Sequence, residues 1–358
     1  MKVLFLGQSG RDCGAITMRF PCGNQEREVV PMSKKKTVWN GVFIACWLIL
    51  IFGWAEQAQS QIKYPNRAIE IIVPFVPGGS SDLATRIAAD YLKKKWKVPV
   101  NIVNKPGGNT IPAVLEMYSA NPDGYTLFAE NAGSNVSLEI ATKELPFKVM
   151  DRTFICMHSM LPYCVTVYAK SSFHTFKDLV NEAKKDPEHF TWTSAGGVGF
   201  QDIVFRQFSK AIGIDVLKTK PIVTRGAAQS ATLAAGGHVK MGGGSLASCL
   251  SYIQAGTLRP LALTSKERWP QVPDTPTMAE LGYPTIKTQQ WTGISGPPQL
   301  PQRIVDIWEK AMQEMVKDAE VISRMKSIGT KENYLNAREV REFVIHEGEE
   351  LKILWGVK

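Results

Sequence analysis

The feature that most restricts the fold is an alternation of buried-strand and amphipathic-helix signals, joined by glycine-rich turns, that begins at Tyr64. Ala68–Phe75 is an almost unbroken apolar run rich in Ile and Val, the pattern of a strand covered on both faces. Ser81–Trp96 follows, with Leu83, Ile87, Tyr91 and Leu92 on one helical face. Val98–Val103 reads as a strand and Ile111–Ser119 as a helix. Tyr125–Ala129, introduced by the turn Asn121-Pro122-Asp123-Gly124, is a further strand. Strand, helix, strand in this order predicts parallel sheets built through right-handed crossovers.

The rhythm resumes after Asp151. Thr153–Met157 and Tyr163–Tyr168 read as strands, Phe176–Lys185 as a helix, Phe190–Thr193 as a strand and Gln201–Ile212 as a helix. Gly226–Ala235 and Leu246–Gln254 are helical, with strands at Val239–Gly242 and Leu258–Thr264 between and after them. The C-terminal part is mainly helical, at Pro301–Lys317 and Ala337–Leu354; Pro301 suits a first helical turn. With 358 residues and 44% hydrophobic content, two domains of ordinary size are expected. We read two α/β lobes, each a mainly parallel sheet flanked by helices. Residues 61–161 with 281–358 form the first lobe and residues 162–280 the second.

The first sixty residues follow a different logic. Met32-Ser33-Lys34-Lys35-Lys36 resembles a fresh N-terminus, the run Val42–Ala55 is apolar, and Ala58-Gln59-Ser60 puts small residues at −3 and −1 of a cleavage site. Basic, apolar, small is the order of a Sec-type signal peptide at residues 32–60, and the run is short for a bilayer span. Residues 1–31 fit as an upstream extension from a misassigned start. The expected location is therefore the periplasm.

Charge and cysteines narrow the partners. The formal net charge is +9, but runs such as Lys93-Lys94-Lys95 and Lys184-Lys185 are scattered, as on solvated helix faces, so no nucleic-acid partner is expected. A mildly positive field favours anionic solutes. Cys13, Cys22 and Cys46 precede the folded region. Cys156, Cys164 and Cys249 lack zinc-ligand or CxxC spacing and read as buried free thiols, with no metal and no cofactor.

Four turns stand where strands give way to helices. Val76-Pro77-Gly78-Gly79-Ser80-Ser81-Asp82 can aim backbone amides and a helix N-terminus at an anion. Equally, Ser80 or Ser81 can simply cap the helix. It is not a P-loop, since the Lys-Ser/Thr pair is missing. Ser194-Ala195-Gly196-Gly197-Val198-Gly199-Phe200-Gln201-Asp202 is a second such turn, in the other lobe. Lys105-Pro106-Gly107-Gly108-Asn109-Thr110 and Asn131-Ala132-Gly133-Ser134-Asn135 complete the set in the first lobe. Loops after parallel strands share one sheet edge, where open α/β sheets bind ligands. Arg225, before Gly226 at another such junction, is either a forked carboxylate contact or a surface residue.

At these residues the chain resembles the Bug family, the extracytoplasmic receptors of tripartite tricarboxylate transporters. The resemblance runs from Tyr64 to the C-terminus. It rests on Tyr64-Pro65, Val73–Asp82, Asn104–Asn109, Pro122–Leu127, Ala255–Ser265 and Pro273–Thr277, in that order. It implies a two-lobed Venus-flytrap fold whose cleft holds a carboxylate through backbone and water contacts. Those contacts fall on Phe75, Gly78, Gly79, Ser80, Ser81 and Asp82, and on Ser194, Gly197, Gly199 and Gln201; the loop reading adds Gly133, Ser134 and Arg225. The chain departs from the family at Asp202, where His is usual, at Val198 for Gly, at Arg225 for Lys, and at Gly243-Gly244 for Phe-Asp.

No catalytic residues are expected. His158, His174, His189, His238 and His346 lie in no catalytic motif, Ser194 sits in no Gly-x-Ser-x-Gly elbow, and no Gly-x-Gly-x-x-Gly follows the first strand. The expected function is capture of a small carboxylate for the membrane subunits of a tripartite tricarboxylate transporter, by a monomer. The alternative is a periplasmic sensor subunit serving a receptor kinase. A single candidate pocket cation, Arg225, points to a mono- or dicarboxylate, and Phe75, Phe200 and Trp291 admit an aromatic acid.

Overall fold

The computed structural model describes residues 64–197 and 199–357. The extension expected at 1–31, the signal peptide expected at 32–60, Cys13, Cys22, Cys46 and Val198 lie outside the described residues.

The Ile/Val run forms β1 (Ile69–Val73), and α1 (Ser80–Trp96), β2 (Val100–Asn104), α2 (Ile111–Tyr118) and β3 (Thr126–Glu130) follow in order. β1 is flanked by parallel neighbours on both sides, Ile71 lying opposite Ile102 on β2 and Leu127 on β3. This central position explains why the run is apolar but for Glu70: Ile69, Ile71, Ile72 and Val73 are all fully buried. The short helix α3 (Val136–Ala141) then leads to β4 (Thr153–Tyr168), a strand of 16 residues.

β4 connects two hydrophobic cores. Its first residues, Ile155 and Cys156, join Ile71, Val73 and Ile87 in one core, while Val165 and Val167 near its end belong to another. The second core is built by α4 (Phe176–Lys185), β5 (Thr191–Ser194) and α5 (Phe200–Ile212), with β6 (Lys220–Val223), α6 (Ala227–Ala235), β7 (Gly242–Ser245), α7 (Leu246–Gln254) and β8 (Leu258–Leu263) completing that half. Phe176, Phe190, Phe205 and Phe208 fill it, and Trp192 stacks on Phe205 with ring centroids 3.8 Å apart. Ile286 still packs in the second core. Three residues later β9 (Gln289–Gly296) is back beside the first half of β4 and beside β3. The chain ends with α8 (Gln302–Met315), α9 (Ala319–Ser327), β10 (Lys331–Asn336) and α10 (Ala337–Trp355). α8 presents Ile304, Val305, Trp308, Met312 and Met315 to the first core. The Trp308 indole donates to the Tyr64 hydroxyl at 2.6 Å.

The sheets correct one expectation. They are mixed rather than mainly parallel: β1 with β2 and β3, and β5 with β6, are parallel, but β4 is antiparallel to β7, β8, β9 and β10, and β9 is antiparallel to β3. The cause is β4 itself. A strand that runs out of one half into the other is most simply flanked by the strand that returns, and a returning strand is antiparallel. For the same reason the two strands read on either side of Pro162 are one strand. Cys156, Cys164 and Cys249 are buried free thiols, as expected. Among the described residues no helix is long and apolar enough to cross a membrane.

Candidate functional site

Among the described residues, four of the ten helices cap their own N-termini with a side chain. Asn135 accepts from the Val136 amide at the start of α3, Thr175 from Asp178 at α4, Asp318 from Val321 at α9, and Asn336 from Glu339 at α10. Of the six that lack such a cap, three follow a glycine: α1, α5 and α6 begin after Gly79, Gly199 and Gly226, which offer no side-chain acceptor to the first turn. The leading amides of a helix lack intrahelical acceptors, and each N-terminus carries about half a positive charge. The three glycine-led ends line one cavity, through Gly79, Ser80 and Ser81, through Gly199, Phe200 and Gln201, and through Gly226 and Ala227. Phe75, Asn131 and Gln290 close the rest of the wall.

The two glycine loops are held by the same device. In α1, the third residue, Asp82, reaches back to accept from the Gly78 amide at 2.9 Å, and is anchored by Arg86 at 2.9 Å and by Asn104 Nδ2 at 2.9 Å. In α5 the third residue, Asp202, accepts from the Ala195 and Gly199 amides at 2.9 and 3.0 Å and from Ser194 Oγ at 2.5 Å. Burial pushes the Asp202 carboxyl above the ordinary range, and the hydrogen bonds from Ser194, Ala195 and Gly199 pull against that shift. Each carboxyl therefore shapes a loop from behind, and the helix ends at Gly79–Ser81 and Gly199–Gln201 form the cavity wall.

The halves meet closely at this point. A Cβ at Gly196 would lie 2.1 Å from Asn109 Oδ1, and one at Gly226 would lie 3.5 Å from Phe75 Cδ1. Gln290 Nε2, on β9, reaches Ser81 Oγ at 3.5 Å. The cavity measures about 30 Å³, room for one or two waters and less than a whole dicarboxylate needs.

Of the residues picked from the sequence, Phe75, Gly79, Ser80, Ser81, Gly199 and Gln201 line this cavity. Asp82 and Ser194 stand behind it as loop supports. Gly78 lies in the same turn but faces a neighbouring groove with Leu83 and Ala228. Gly197, at φ +92°, shapes the second turn without lining the cavity. Gly133 and Ser134 are buried in a short turn after β3, where Asn131 Oδ1 accepts from Gly133 N at 2.8 Å and Ser134 Oγ donates to the Asn131 carbonyl at 3.2 Å. The Arg225 side chain is exposed and lies outside the cavity wall, whereas its neighbour Gly226 is part of it. Trp291 faces the interior, where its indole donates to Glu347 at 3.2 Å.

Phe200, expected beside an aromatic acid, also lines the cavity, whereas four lining residues are not indicated as ligand contacts by the sequence: Asn131, Gly226, Ala227 and Gln290. Gln290 sits on a strand with no period-2 signal. Asn131 opens a loop that had been singled out, but its neighbours were chosen instead. It is the more telling residue, because its Oδ1 is engaged with Gly133 while its Nδ2, buried at the cavity wall, has no partner. A buried donor without an acceptor is costly, and this one belongs to a residue of the wall where three helix ends converge. No cationic side chain lines the cavity. Its positive character comes from amides and helix ends, the equipment of an anion-binding cleft. Among the described residues no group of three His, Cys, Asp or Glu side chains forms a metal cluster. His158 is enclosed within β4, where burial pushes its pKa down to about 4.

Comparison with known proteins agrees with this geometry. The family model for the tripartite tricarboxylate transporter family receptor matches residues 84–354. The UPF0065 protein encoded in the gbd 5′ region of Cupriavidus necator is 29% identical over 308 residues, covering 85% of this chain and 90% of that one. The solved structure of the periplasmic binding protein BugD superposes with a TM-score of 0.76 at 24% identity, over 82% of this chain and 99% of the other. MatC from Rhodopseudomonas palustris with bound malate superposes at 0.75 with 19% identity, over 82% and 100%. Two cores joined by a shared strand, with a cleft where glycine-led helices from both halves converge, are the framework of this family: the chain belongs to the tripartite tricarboxylate transporter family receptors, with the α/β fold of periplasmic binding proteins.

Proposed function

We propose that this protein captures a small mono- or dicarboxylate in the periplasm and presents it to the membrane subunits of a tripartite tricarboxylate transporter. The observation that carries the reading is the convergence of three helix N-termini, each after an uncapped glycine, on one cavity with the unpartnered Asn131 Nδ2 at its wall. Such ends favour a carboxylate oxygen over a neutral group. The malate held by MatC is a solute of the expected kind. With no lysine or arginine in the wall, one carboxylate headgroup is matched better than the triple charge of a tricarboxylate, and the Phe75 and Phe200 rings favour an apolar stretch beside it.

A cavity of about 30 Å³ requires the halves to part before solute enters. The segments that permit it are β4, around Leu161 and Pro162, and the stretch between Ile286 and Gln290. In this reading the lobes are residues 61–161 with 281–358 and residues 162–280. Ligand then selects the closed arrangement, which docks on the transporter.

A thermal-shift screen of aliphatic and aromatic carboxylates tests the proposal. A ligand present at one hundred times its Kd stabilises the fold by about 2.7 kcal/mol. Asn131→Asp keeps the acceptor for Gly133 but turns the free donor into a negative charge. It should abolish the ligand-induced shift, read against the variant's own unliganded melting temperature, which the buried charge lowers. Absence of a shift with every mono- and dicarboxylate tried would refute the assignment.

A further inference from the structure

Behind the crossing strands, away from the glycine loops, lies a second cavity of about 500 Å³, within the size range of small-molecule sites. Its floor is made by Met160 of β4 and Gln289 of β9, where the chain passes between the halves. One wall comes from the loop after β8 and the other from the end of α9 and the start of β10. We propose that this cavity is a second ligand site, one that accepts a small organic anion with a flat apolar body.

Three observations point the same way. Thr330 is 3% exposed, lines the cavity, and its Oγ1 has no hydrogen-bond partner. Gln271 also lines it with Oε1 unpaired, while its Nε2 is held by the Lys326 carbonyl. These two oxygens lie buried just behind the lining, so a polar ligand satisfies them once the side chains rotate outward. Second, Lys266, Lys326 and Lys331 stand around the cavity and none is in an ion pair among the described residues. Arg268 is engaged by Glu280 at 3.0 Å, and Glu267 and Glu332 offset part of the charge, leaving the lining net positive. Third, Trp269, partly buried against Leu246 and Leu263, offers a ring beside the lysines. An aromatic face next to unpaired ammonium groups suits an anion carried on a flat ring. The site stands apart from the cleft, since the two cavities share no lining residue. Because both strands that join the halves form its floor, a molecule bound there would hold one arrangement of the halves in preference to another.

The test uses 1-anilinonaphthalene-8-sulfonate, a flat aromatic anion that brightens on leaving water. The wild-type chain from residue 61 onward, purified without added carboxylate, should bind one equivalent saturably, with emission sensitised by tryptophan. Trp269→Phe should remove most of the sensitised component. The exposed triple variant Lys266→Glu, Lys326→Glu, Lys331→Glu should weaken binding at least tenfold. Ser81→Trp, whose indole blocks the cleft, should leave dye affinity within about threefold of wild type. Unsaturable or absent binding, wild-type affinity in the triple variant, full sensitised emission without Trp269, or loss of binding in Ser81→Trp would each overturn the assignment. The last outcome would place the dye in the cleft without touching the carboxylate reading, which the Asn131→Asp comparison decides separately.

Discussion

Removing the Asp202 carboxyl should unfold the second glycine loop at a calculable cost. Asp202 is 1% exposed and collects Ser194 Oγ, the Ala195 amide and the Gly199 amide. Asp202→Ala strands all three donors. A buried donor without an acceptor costs about 1–3 kcal/mol. Ala195 is partly exposed, so water recovers its share, and release of a buried carboxylate offsets some of the rest. The expected loss is about 3–4 kcal/mol, a large part of the ~5–15 kcal/mol that holds a typical domain. Asp202→Asn is the discriminating partner. Its Oδ1 can accept both amides while Nδ2 donates to the Ser194 oxygen, so about 1 kcal/mol should be lost. Urea denaturation reads both as shifts in midpoint at nearly constant slope. If Asp202→Ala lies within 1 kcal/mol of wild type, or if Asn costs as much as Ala, the carboxyl is not what shapes the loop.

Further outcomes follow from the same structure. Gly196→Ala places a Cβ where Asn109 Oδ1 stands and strains a φ of +81°. Carboxylate affinity by calorimetry should fall at least tenfold, and adding Asn109→Gly should recover part of it. Glu130→Gln leaves Arg152, 2% exposed and paired with Glu130, as an uncompensated buried charge. Breaking such a pair costs about 3–5 kcal/mol, and Glu130→Gln with Arg152→Met should restore most of it in the same urea assay. Glu347 titrates. Burial, helped by Glu350 and opposed by the Trp291 hydrogen bond, pushes its pKa up to about 8 from an ordinary 4.5. The neutral form is the one the fold prefers, so this contribution is complete below pH 4.5 and is lost as pH rises to 8. Glu347→Gln should melt progressively higher than wild type across that window, by about 2 kcal/mol at pH 9 after allowance for partial exposure. Equal pH profiles would refute it.

The alternation of apolar runs and amphipathic helices sufficed to place β1, α1, α4 and α7 within a residue or two, because each is local in cause: a strand buried on both faces must be apolar, and a helix against a sheet must be one-sided. The glycine turns were visible for the same reason, since a positive φ at Gly78 or Gly196 is a backbone demand written directly in residue type. What the sequence hid were the elements whose reason lies elsewhere in the chain. β9 reads Gln-Gln-Trp-Thr-Gly-Ile-Ser-Gly, neither alternating nor apolar. Gly293 is small because a Cβ there would meet the Cys156 carbonyl at 2.4 Å, and Gln290 is polar because it faces the cleft. β4 passes through Pro162 without a break because its partners change from one half to the other. The roles of Asp82 and Asp202 as loop supports, and of Asn131 as the free donor, were likewise decided only when residues far apart in sequence closed on one another. Backbone geometry and burial are set residue by residue, whereas the direction in which a hydrogen-bonding group is left unsatisfied is a property of everything packed around it.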